Sequence, residues 1–168
     1  MDSAVTPRRM PITFNSPLEA GMRAVAILGA AYPQTYDLQR LVALDFLLVH
    51  TADVGGPDNL HPPTPMHSAE ILVRRKLVEQ ALLLMMTRDL VEREVRFDGF
   101  KYAAGENAFM FLSSLTTPYL LGMQARAQWL IKRYGEHSDQ QFKVVMRSFF
   151  AKWVEEFQDP ERSRGGDV

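Results

Sequence analysis

Three of the chain's four histidines lie in one 21-residue stretch, HTADVGGPDNLHPPTPMHSAE (50–70), with Asp53, Asp58, Glu70, a Gly-Gly pair and four prolines. Imidazoles and carboxylates at this density are the raw material of a metal centre or of general acid–base catalysis. The spacing argues against both. His50, His61 and His67 are eleven and six residues apart, whereas a hydrolytic zinc site sets two ligands on one helical turn, as in H-E-x-x-H. No G-x-S-x-G elbow occurs, and neither Gly-rich phosphate fingerprint is present. Asp closes turns and His donates to carbonyls in ordinary loops, so two readings stay open. The stretch is an internal brace, or it is a docking loop in which Asp53, Gly55, Gly56, Pro57, His61 and Pro62 meet a partner. No catalytic residue, metal or cofactor is assigned, and the chain is not expected to be an enzyme.

The elements around this loop follow from local signals. Residues 1–14 read as an extended arm, with prolines at 7 and 11. Ser16-Pro17-Leu18-Glu19 opens a helix with a capping residue, a proline at the first position and an acid in the first turn, and Pro33 ends it. Asp37 caps a second helix with Leu38, Leu41, Val42, Leu48 and Val49 on one stripe. Asp45 falls inside that stripe, so it needs a partner, from Arg23 or from the loop. The loop itself spans about 51–67, stiffened by Pro62, Pro63 and Pro65. Ser68 would cap a third helix with Ile71, Leu72, Val78, Leu82 and Met85 inward and Arg74, Lys76, Glu79 and Gln80 mainly off that stripe. Residues 91–97 alternate as a strand, Asp98-Gly99 reads as a hairpin turn, and Phe100-Lys101-Tyr102 returns.

Helix–helix–helix–hairpin is the winged helix-turn-helix order, so the expected fold is mainly α with a β-hairpin wing (α+β). The core would be residues 15–105 with the inserted loop. Helices over 106–158 would pack on it, Thr117-Pro118 opening one and the SDQQ capping box (138–141) another. A flexible tail would occupy 159–168.

Two further groups of residues can bind macromolecules. Arg74, Arg75 and Lys76 on the third helix and Arg93, Arg96 and Lys101 on the hairpin sit where a winged helix touches nucleic acid. Residues 69–101 nevertheless hold seven basic and six acidic side chains, and a near-neutral face binds phosphates weakly on its own. The last helix carries Phe142, Met146, Phe149, Phe150, Trp153 and Phe157 at helical spacing. Part of this stripe must be core, and the surplus fits a protein–protein interface.

Composition bounds the rest. The chain has 168 residues, is 46% hydrophobic and carries a formal charge of −1, enough for one core and without the basic excess of a dedicated nucleic-acid or membrane binder. It contains no cysteine, which excludes disulfides and thiolate chemistry. No secretory leader or membrane span is legible, so a cytoplasmic protein is expected.

The segments NSPLEAGMR, LVALDFLLVHTADVGGPDNLHPPTP, AEILVRRKLVEQALLLM and ARAQWL, taken in order, resemble the middle component, second type, of bacterial ABC-three-component systems. The likeness covers about 14–135. It rests most on Asp53, Gly55-Gly56-Pro57 and Leu60-His61-Pro62, with Trp129 in agreement. Asn59 and His67 depart from the pattern, where serine and arginine are expected. The resemblance implies a non-enzymatic adaptor between an SMC/Rad50-like ABC ATPase and an effector, in Lamassu-like defence against phage, with DNA a further candidate partner inside the complex. The alternative is a stand-alone winged-helix transcription regulator, homo-oligomeric through its C-terminal helices in the PadR manner.

Overall fold

A computed structural model describes the backbone of residues 16–62 and 67–162, and side chains over 16–62 and 73–152. The expected arm at 1–14, Trp153 and Phe157 lie outside these side chains. Helix α1 (Pro17–Ala31) is capped as its sequence predicts: Ser16 Oγ accepts from Glu19 N at 3.2 Å. It is buried almost continuously from Ala20 to Leu28 and forms the central rod of the core. Helix α2 (Leu38–Val49) starts at Asp37, whose carboxylate accepts from Arg40 N at 2.8 Å. A short 3-10 turn over Thr51–Val54 begins the loop. Helix α3 (His67–Met86) follows, so Ser68 lies within it rather than capping it.

Strands β1 (Val91–Arg96) and β2 (Gly99–Ala104) form an antiparallel hairpin in which Arg96 faces Gly99. The turn positions are therefore Phe97 and Asp98, one residue earlier than expected. Gly99, at φ 124°, takes the positive dihedral that a side chain would resist. Tyr36 exchanges both backbone hydrogen bonds with Tyr102 (3.0 and 2.8 Å) and ties the base of the hairpin to the body.

Helices α4 (Ala108–Ser114), α5 (Pro118–Tyr134) and α6 (Asp139–Arg162) follow, α6 running past its expected end near 158. Thr117 caps α5. Ser138 and Gln141 exchange hydrogen bonds of 2.8 and 3.1 Å, the reciprocal capping box read from SDQQ. The described residues are thus mainly helical with one two-stranded sheet, an α+β fold. Helices α3 and α5 both pack on α1, and α3 also on α2. One core cluster includes Met123, Ala127 and Leu130 of α5 and Phe142 and Met146 of α6.

Arg40 ties α2 to the end of α5 and the start of α6. Its guanidinium lies between the rings of Tyr36 and Phe142 (4.4 and 4.8 Å to the centroids) and bonds Asp139 and the Tyr134 carbonyl. That carbonyl is one of those a helix end leaves unpaired.

Candidate functional site

The loop is built on its own backbone. Gly55 closes the 3-10 turn at φ 81°. Thr51 Oγ1 donates to the Pro57 carbonyl at 2.7 Å, and the Asn59 amide oxygen accepts from Ala52 N at 2.9 Å. Asn59 also donates to Asp53 at 3.4 Å. Leu60 N and His61 N both donate to the Val49 carbonyl at the end of α2. The loop then seats on α5. The Arg126 guanidinium grips the Asp58 carbonyl at 2.6 and 2.9 Å. Gly56 lies flat on Trp129, where a Cβ would meet the indole at 2.7 Å. Arg126 is part of the ARAQWL segment, in which only Trp129 stood out from the sequence.

Beneath the loop lies a sealed polar cluster. Asp45 is fully buried and is held by Arg23 of α1 (2.6 Å) and Arg74 of α3 (2.5 Å). Burial alone would raise the Asp45 pKa, but the charges and hydrogen bonds of the two guanidiniums outweigh it and hold the carboxyl below its ordinary value. His61 is buried beside them, 3.2 Å from the Tyr119 hydroxyl. Its burial first, then the Arg23 and Arg74 charges, push its pKa down to about 4, so it is neutral near pH 7. His50 is also buried and packs on Phe46, centroids 4.8 Å apart. Of the expected contact residues, Gly55, Pro57 and Pro62 are exposed, Asp53 and Gly56 half-buried, and His61 is turned inward. Among the described residues no three His, Asp or Glu side chains come together as metal ligands.

The expected basic surface changes most. Arg74 is 3% exposed and committed to Asp45, so it is removed from the candidate nucleic-acid contacts. The reason is periodic: Arg74 lies four and eleven residues before Val78 and Met85, on the inward stripe itself. Arg96 pairs with Glu94 at 2.6 Å, and Lys101 pairs with Asp139 at 3.2 Å. Arg93 stacks on Phe100 at 4.3 Å, and Arg75 and Lys76 stay at the surface. On α6, Phe142 and Met146 are core, while Phe149 and Phe150 are half-buried against it. Among the described residues, exposed large apolar groups include Val144 on α6, Val95 and Phe97 on the hairpin tip, and Phe109 and Met110 on α4.

A small helical body with a short hairpin and an internally braced loop is what these observations define. The chain belongs to the ABC-three component (ABC-3C) system Middle Component 2 family, whose description matches residues 13–156. Its family makes it one part of a multi-component system. Neither the curated proteins nor the solved structures contain a match. No helix among the described residues is long and apolar enough to cross a membrane.

Proposed function

We propose that this chain is the non-enzymatic adaptor of its system, linking an SMC/Rad50-like ABC ATPase to an effector in a cytoplasmic conflict or anti-phage defence complex. The family match over 13–156 carries this reading. The geometry agrees with it: a rigid body, cross-braced by Arg23–Asp45–Arg74 and by Arg40, can relay a displacement between partners that contact different faces.

We further infer that α1, α2, α3 and the hairpin act as a winged-helix core. The inserted loop acts chiefly as its internal brace, with Gly55, Pro57 and Pro62 as its outward surface. A stand-alone DNA-binding regulator is the weaker reading, because Arg74, Arg96 and Lys101 are ion-paired within the chain.

Co-expression with the ATPase and effector encoded beside it tests the adaptor role, since the three should co-purify as a complex. A chain that elutes alone, as a symmetric dimer on palindromic DNA, overturns it. Replacing Asp53 and His61 together should weaken folding or assembly; a double variant that folds and assembles normally removes the loop from both roles.

A further inference from the structure

We propose that a groove between the start of α1, the end of α3 and α4 receives an amphipathic helix from another component of the system, laid apolar face down with a carboxylate on Arg88. The inference rests on the multi-component reading and assigns the surface that reading leaves open.

The groove has a volume of about 620 Å³ and is walled by Leu18, Leu84, Met85, Leu90, Met110 and Phe111. Leu18 and Met110 on its rim are 56% and 74% exposed. Apolar side chains left in water around a concavity mark a recognition site. The walls are already built. Leu112 anchors α4 against α1 at Gly29, where a Cβ would come within 2.7 Å of it. Gln124 donates to the Leu112 carbonyl at 3.2 Å, and Asn107 N donates to the Asp89 carbonyl at 3.0 Å. A preformed groove spares an incoming segment the cost of ordering its receptor.

Its chemistry selects the occupant. Arg88 is the one charged group among the described lining residues, is exposed, and makes no ion pair among the described residues. An apolar stripe at i, i+3, i+4 and i+7 fits such a groove, and one carboxylate at its border complements the guanidinium. Nucleic acid fits poorly, since phosphates need several cations and this surface is aliphatic. The cleft between α3 and the hairpin differs: Asp37, Glu79 and Asp98 line it with Arg75 and Arg93, a mixed polar surface with no comparable preference.

The test uses the full chain co-expressed with the other two components. Hydrogen exchange compares the chain alone with the assembled complex, and Leu84→Glu, Met110→Glu and Arg88→Ala are assayed for assembly. Expected are protection of α4 and of the last turns of α3 in the complex, and at least about tenfold weaker assembly of the two glutamate variants. Arg88→Ala should weaken assembly less while keeping the wild-type melting curve, which guards against a fold defect in the others. A complex that forms with this groove unprotected and all three variants assembling normally overturns the inference and leaves the component reading intact. No complex at all overturns both. Three other results also overturn it: a dimer of the isolated chain that Leu84→Glu dissociates, protection in the isolated chain that vanishes when residues 1–15 are deleted, and a co-purifying lipid displaced by Met110→Glu.

Discussion

Asp45 is the residue on which three helices meet, and its chemistry is asymmetric. A buried ion pair contributes little beyond a well-packed apolar substitute, yet removing one partner leaves charge stranded without solvent. Asp45→Ala leaves both Arg23 and Arg74 without this carboxylate and should cost about 3–5 kcal/mol in urea denaturation. His61 gives a second prediction. Its folded pKa of about 4 lies below the ordinary 6.5, so the unfolded chain takes up a proton first as pH falls. The stabilising contribution is complete above 6.5 and is lost progressively toward pH 4. His61→Gln should flatten the stability profile over that window in melts at stepped pH. An unchanged slope would refute the assignment.

At the scale of elements, the helix starts were legible because capping is local. Ser16, Asp37, Thr117 and Ser138 each need only the next three or four residues to act. The hairpin was legible for the same reason, though its turn is shifted by one position. The loop's seat on α5 was not legible, since Trp129 and Arg126 act on it from more than 65 residues away in sequence. Gly56→Ala drives a methyl into the Trp129 ring and should cost about 1–3 kcal/mol in thermal melts. Combining it with Trp129→Leu should recover part of that loss, giving a coupling term in the double-mutant cycle.

For the whole molecule, the distribution of charge decides more than its total. Arg74, Arg96 and Lys101 pair with Asp45, Glu94 and Asp139, which leaves Arg75, Lys76 and Arg93 as the cations of the hairpin and third helix, among the described residues, able to meet phosphate. Three contacts correspond to a slope of log K against log salt of about −3 or shallower. The isolated chain should therefore shift duplex DNA only at low salt. A steep salt dependence with tight binding near 0.15 M would restore the DNA-binding reading.

The sequence by itself determined the helices, their caps, the hairpin, the absence of thiol chemistry and the resemblance to a three-component system's middle subunit. These depend on neighbours in the chain or on motif order. Buried Asp45 and its Arg23 partner were legible from the stripe; only the tertiary structure decided which other polar residues are interior. Arg74 and His61 look like surface chemistry until α1, α2 and α3 close around Asp45, because burial of a charge depends on partners that sequence order does not bring together. It also placed Phe142 and Met146 of α6 in the core and left apolar side chains exposed around α4, since which face of an amphipathic helix stays uncovered is settled by its neighbours' packing.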